Sequence, residues 1–273
     1  MTAAKTGAKT AAKSPAKSGA KTAASPSLRR DLLAVLSGDG PFSGVNAETL
    51  ARLVEASRIS RVAAGRIIFR KGDAPGSCYL ILSGAVKVSL PSTDGRETVL
   101  AILGRGDVVG EMALLDRQPR SATVTALKTC ELCQLTTAAF EWLARTDIAI
   151  YRQLLCVLSA RLRAGNESSV LQQMPLGARL ARALLQLAQS FGERLPEGRV
   201  LIRQKLSQAE LGRMVGAARE SVNRQLNDWR SAQLLTLISG YCCLERPDAF
   251  DKIAGCEPRT GDTGFRRCRQ APG

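Results

Sequence analysis

The order of apolar periods along the 273-residue chain predicts an α+β protein: an antiparallel β-roll of jelly-roll type, a long helix, and a C-terminal helical domain with a small hairpin. Three observations carry this. Between residues 66 and 135 short segments rich in β-branched residues are punctuated by glycines and turn pairs, which favours an antiparallel barrel over a parallel sheet. After Asp147 the apolar period changes to 3–4 residues. Beyond Pro175 come an amphipathic helix over Leu176–Gln189, a short strand at Arg199–Arg203, two further helices, a hairpin turning at Ser239-Gly240 and a short helix near Pro247–Ile253.

Taken in order, Met1–Pro26 is Ala, Lys, Thr, Ser and Gly, with Lys5, Lys9, Lys13, Lys17 and Lys21 recurring every fourth residue. On a helix those lysines would form one self-repelling stripe, interrupted by Gly7, Pro15 and Gly19, so 1–30 reads as a disordered basic tail. In composition it resembles the lysine-alanine tails of linker histones. A helix is expected over Ala47–Ser57, with Leu50, Leu53 and Val54 on one side. Strands are expected at Arg66–Arg70, Cys78–Ser83, Ala85–Leu90, Thr98–Leu103, Ser121–Ala126 and Thr129–Leu135, and Asp94-Gly95 marks a hairpin. These fill a domain over 31–145. Residues 146–174 form the long helix, where Ile148, Tyr151, Leu155, Leu158 and Leu162 follow a two-helix coiled-coil seam that Gly165 weakens. Residues 175–255 make the C-terminal domain, and 256–273 are aperiodic and expected to be disordered.

Composition narrows the chemistry. The chain has no histidine, which removes Ser-His-Asp and Cys-His nucleophile systems and any histidine-ligated metal. The balance points to binding rather than catalysis, and no enzyme activity is expected. Cys130 and Cys133 form a CxxC, but on a strand residues three apart face opposite sides. No metal is expected there, and the thiols read as buried and inert. No apolar run approaches a membrane span and no secretion signal is visible, so a cytoplasmic, nucleoid-associated protein without a membrane partner is expected. The net charge of +15 is uneven: residues 1–30 carry seven cations and no acid, residues 31–145 are nearly neutral, and 176–255 carry 12 bases against 8 acids. That distribution implies a polyanionic partner, most commonly nucleic acid.

The most informative stretch is Gly110-Glu111-Met112-Ala113, followed nine residues after the carboxylate by Arg120-Ser121-Ala122. A glycine and a carboxylate open a short helical turn whose N–H groups can face an anion, and Pro119 lets Arg120 return to the same spot. An arginine fork suits a phosphate and a carboxylate suits a sugar hydroxyl. The bland alternative is an Arg120–Glu111 salt bridge holding a loop. Residues, spacing and the flanking Phe69-Arg70-Lys71-Gly72-Asp73 and Leu82-Ser83-Gly84 resemble the cyclic-nucleotide-binding domains of the Crp/Fnr (catabolite-activator) superfamily. The resemblance implies that Glu111 binds the ribose 2′-hydroxyl and Arg120 the cyclic phosphate, with Gly110, Met112, Ala113, Ser121 and Ala122 around them. Where known cyclic-AMP receptors carry a Thr-Ser pair against the adenine, this chain carries Gly165 and Asn166. Asn166 can still bond a purine edge, so cAMP or cGMP is expected as effector with the base left open.

In the C-terminal domain Ser207 and Glu210 form a capping box, Gly216 suits a tight turn, and the next helix runs from Arg219 to Trp229. Val222, Leu226 and Trp229 face inward, which leaves Arg219, Glu220, Asn223, Arg224 and Asn227 outside, side chains suited to base edges. The string Leu206-Ser207-Gln208 through Gly216-Ala217-Ala218-Arg219-Glu220-Ser221-Val222-Asn223-Arg224 resembles the winged helix-turn-helix of the same superfamily. That implies base contacts from Arg219, Glu220 and Arg224, backbone contacts from Ser207 and Gln208, and a wing at Leu235–Gly240. The partners implied are double-stranded DNA with a palindromic site, a second copy of the chain as homodimer, and RNA polymerase as a candidate. The absence of histidine and of any cysteine before Cys78 sets aside the superfamily's haem and iron–sulfur sensors. The rival expectation is a nucleoid-structuring protein that binds DNA through its tail and carries an orphan pocket.

Overall fold

The computed structural model describes residues 32, 34–36, 45–91 and 97–255. The tail of 1–30, the Asp94-Gly95 turn and residues 256–273 lie outside them. Helix α1 (Ala47–Ala56) starts at Asn46, whose side-chain oxygen accepts from Thr49 N at 2.7 Å. Eight strands follow: β1 (Arg58–Val62), β2 (Ile67–Phe69), β3 (Ser77–Ser83), β4 (Ala85–Pro91), β5 (Glu97–Gly104), β6 (Val108–Val109), β7 (Thr123–Ala126) and β8 (Cys130–Thr136). They pair antiparallel in two four-stranded sheets, β1-β8-β3-β6 and β2-β7-β4-β5. This alternation of consecutive strand pairs between facing sheets is the jelly roll. The expected hairpin forms, with Leu90 opposite Thr98 and Pro91 opposite Glu97. Cys130 and Cys133 do face opposite sides of β8: one packs with Ile81, Val86 and Val124, the other with Leu80 and Phe140.

Within the roll, strands β1 and β6 and one helix go beyond the sequence reading. Strand β1 pairs with β8 from Arg58 opposite Gln134 to Val62 opposite Cys130, its single buried residue, Ile59, hidden between arginines in sequence. Strand β6 has only two residues. Helix α3 (Thr137–Thr146) lies inside the region read as ending in strand, capped by Thr136, which accepts from Ala139 N, and burying Phe140, Leu143 and Ala144. Its short companion α2 (Glu111–Leu115) is the turn expected at the phosphate-type stretch. The long helix is α4 (Ala149–Leu171), and the apolar residues in and just before it divide between two tasks. Ile150 and Leu154 are buried against the roll and Tyr151 meets Phe140 edge-on at 5.1 Å. Ile148, Leu155 and Leu162 are 69, 57 and 68 % exposed. Tyr151 therefore packs inward, and the outward stripe is the heptad-spaced trio.

The C-terminal domain runs α5 (Leu176–Phe191), β9 (Gly192–Arg194), β10 (Val200–Ile202), α6 (Gln208–Val215), α7 (Arg219–Ser231), β11 (Leu235–Ile238), β12 (Tyr241–Leu244) and α8 (Pro247–Ile253). The sheet order is β11-β12-β10-β9, and Trp229 meets Phe250 edge-on at 5.0 Å in the core. Gly216 ends α6 in the left-handed region at φ 65°, as the tight turn requires. The two halves share a core. Val99 and Ile102 of β5 are buried among residues of α5 and α6, and Gly104 lies under the Phe191 ring. Lys128 Nζ donates to Arg203 O at 2.8 Å, and Arg213 Nε approaches Glu97, itself bound to Lys87 at 2.6 Å, to 3.7 Å.

Candidate functional site

Strand β6 is followed by Gly110, which takes φ 80° and opens α2. A Cβ there would lie 2.4 Å from the Arg120 guanidinium, so only glycine admits the arginine. The chain leaves α2 through Arg117 at φ 57° and Pro119, then joins Asp73 and Gly72 by backbone bonds at Arg120. Arg120 is 5 % exposed. Its guanidinium donates to Gly110 O at 2.9 Å and Ser77 O at 2.6 Å and lies 4.3 Å over the Phe69 ring. Its Nε is buried with no partner among the described residues. Burial pulls its pKa below the ordinary guanidinium value, offset in part by Tyr79, Cys78, Asp73 and Glu111, and it stays a cation.

Glu111 is 1 % exposed, and the salt bridge weighed from sequence is not made. It is paired instead with Arg161 of α4, which also donates to Val108 O. Glu111 Oε2 keeps no partner among the described residues. Sequence reasoning did not assign Arg161 a role, although a signal exists: it lies seven residues after Leu154 and eleven after Ile150, on the face of α4 that packs on the roll. Around this pair Ala113 and Ala122 are buried, Met112 is 43 % exposed, and Ser121 Oγ donates to Met112 Sδ at 3.6 Å. The structure thus gathers Gly110, Glu111, Met112, Ala113, Arg120, Ser121 and Ala122 at one corner of the roll. Asn166 stands apart, exposed and without a side-chain hydrogen bond among the described residues. A Cβ at Gly165 would meet nothing within 4 Å.

The second surface is built by α6 and α7. Ser207 and Glu210 form the reciprocal capping box, with Glu210 N to Ser207 Oγ at 3.2 Å and Ser207 N to Glu210 Oε2 at 2.8 Å. Val222, Leu226 and Trp229 are buried, and Arg219, Glu220, Asn223 and Arg224 are exposed on the opposite face of α7. Asn223 is less free than its exposure implies. Its Oδ1 accepts from Gln208 Nε2 at 2.9 Å and Asn227 Nδ2 at 3.3 Å, so it ties the two helices together. Arg219, Glu220 and Arg224 have no side-chain partner among the described residues, where no group of three Cys, Asp or Glu is placed to hold a metal either.

A jelly roll carrying this corner, followed by a helix-turn-helix with a wing, defines a class. Residues 59–147 match the cyclic nucleotide-binding domain family and 178–253 the Crp-like helix-turn-helix domain family. The chain belongs to the Crp/Fnr family of transcription regulators. It is 34 % identical over 200 residues to the CRP-like cAMP-activated global transcriptional regulator of Mycobacterium tuberculosis, covering 71 % of this chain and 87 % of that one. It is 28 % identical over 191 residues to the cAMP-activated global regulator CRP of Escherichia coli, covering 69 and 90 %. Among solved structures it resembles the c-di-GMP responsive global regulator CLP of Xanthomonas campestris (27 % identity, TM-score 0.62, 73 and 99 % covered). No described helix is long and apolar enough to cross a membrane.

Proposed function

We propose that the chain is a homodimeric regulator whose affinity for a two-fold symmetric DNA site is set by a purine cyclic nucleotide in the roll, cAMP or cGMP. One observation carries the nucleotide reading: two opposite buried charges, Arg120 and Glu111, share a corner without pairing, and each keeps one unpartnered polar atom. Buried ions normally satisfy each other. A ribose cyclic phosphate supplies what both lack, an anionic acceptor for Arg120 and a hydroxyl donor for Glu111 Oε2. Gly110, Met112, Ala113, Ser121 and Ala122 would surround the sugar-phosphate. Asn166 would reach the base only once α4 is seated against a second copy. The cAMP-activated relatives support that effector. Ser207 and Gln208 would hold the DNA backbone, while Arg219, Glu220, Asn223 and Arg224 face the base edges.

Calorimetric titration with cAMP, cGMP and c-di-GMP tests the effector. A purine cyclic mononucleotide should bind, and Arg120→Ala should weaken it roughly ten- to a hundredfold, the worth of a hydrogen bond to a charged group. A folded Arg120→Ala protein with unchanged affinity would sink the pocket assignment. Tighter binding of the dinucleotide would reassign the ligand.

A further inference from the structure

The C-terminal domain contains a cleft that neither the cyclic-nucleotide corner nor the base-reading face uses. It has a volume of about 210 Å³ and lies between the wing strands and the start of α6. Its floor is apolar, formed by Leu184, Ile202 and Leu226, and its rim carries Ser207, Gln208 and Gly240. Gln204 lines it at 5 % exposure. The Gln204 amide nitrogen donates to Lys205 O at 2.8 Å, whereas Oε1 is buried with no hydrogen-bond partner among the described residues. A buried acceptor left unpaired is costly, and a lone water is held well only by two to four polar groups. Here the floor offers it none beyond the amide. The space is also ample for a ring, since a dry protein cavity of roughly 150 Å³ takes up benzene.

We infer that this cleft is a second small-molecule site, for a neutral ring-sized compound carrying a single hydrogen-bond donor, of the phenol or indole type. The ring covers the leucine and isoleucine floor, and its O–H or N–H donates to Gln204 Oε1. The site bears on DNA because Gln208 at its rim donates to Asn223 of the reading helix, and Gly240 forms the wing turn. An occupant sets the spacing between wing and helix-turn-helix. The inference rests on the DNA-binding reading of this domain and not on the nucleotide corner of the roll.

The test uses the full-length chain and two probes of equal shape, phenol and toluene, followed by saturation-transfer NMR. Phenol should bind at least tenfold tighter than toluene. Gln204→Leu should erase that preference, and Cys242→Phe, which fills the cleft from β12, should remove both probes. Saturating phenol should change the affinity for a duplex at least threefold in the wild type and leave it unchanged in Cys242→Phe. A cooperative melting transition near that of the wild type in both variants shows that they are folded and keeps the outcome separate from the fate of the nucleotide corner. Equal binding of the two probes to the wild type, binding that survives Cys242→Phe, or an unmoved duplex affinity would each overturn the proposal.

Discussion

Glu111 depends on a single cation, and that makes Arg161 a residue whose loss is felt twice. Arg161→Ala leaves a carboxylate at 1 % exposure without its ion pair. Breaking a fully buried pair costs about 3–5 kcal/mol, and because Arg161 is itself 36 % exposed the expected loss is about 2–3 kcal/mol. Glu111→Gln placed in that background should recover most of the melting temperature, since a neutral amide needs no cation, while nucleotide binding stays impaired. A double variant as unstable as the single one would show that Arg161 stabilises by packing alone. The thiols divide just as sharply. Burial pushes Cys78 up to about 12, with Cys133 and Glu111 adding to it, and Cys133 to about 11, while Cys156 is exposed on α4. Thiolate is the reactive form, so iodoacetamide at pH 8 should label Cys156 in the native protein long before Cys78 or Cys133, as read by peptide mapping. Equal labelling would mean that the roll opens on the timescale of the reaction.

At the level of elements, Leu155 and Leu162 of α4, with Ile148 just before it, point outward at seven-residue spacing while Ile150 and Leu154 hold the helix to the roll. Replacing Leu155 and Leu162 together by Glu should therefore convert a dimer into a folded monomer in light scattering. A variant that stays dimeric would move the interface elsewhere. On α7, Glu220→Ala and Arg224→Ala should each relax preference at particular base pairs by about 1–3 kcal/mol, and weakening of all duplexes alike would make them phosphate contacts. These faces were legible in sequence because each rests on a long, regular period: β4, β5, β8, α5 and α7 are found where alternation or helical spacing places them. Elements too short to carry a period were not. Strand β6 has two residues, and β1 shows one buried side chain among cations. Helix α3 was hidden for another reason: Thr136 both ends β8 and caps the helix, so no turn residue separates them. In the site, Glu111 and Arg120 were legible as a local motif. Arg161 is 50 residues from Glu111, and only the packing of α4 brings the two together.

For the whole molecule, charge and ligand response are separable. The near-neutral roll holds the proposed nucleotide corner, while seven cations without an acid lie in residues 1–30. Deleting residues 2–24 removes five lysines and should flatten the slope of log affinity against log salt by up to about 4–5, without changing sequence preference or nucleotide affinity. Identical slopes for the two proteins would show that the tail does not touch DNA.

The burial of Val99 and Ile102 in the core of the C-terminal domain bears on how the chain comes apart. Each fully buried aliphatic side chain stabilises by about 1.5–3 kcal/mol, so the pair matters against a total folding free energy of about 5–15 kcal/mol. Sensor and reader therefore behave as one unit of unfolding, and calorimetry should record a single endotherm for residues 31–255. A fragment of residues 175–255 should melt well below it, with the floor left by the missing strand open to dye. Two resolved endotherms in the intact chain would make the shared core a surface contact only. If the single transition holds, whatever tightens the roll also raises the melting temperature of a helix-turn-helix it never touches, and an effector can be scored by heat alone, with no DNA in the tube.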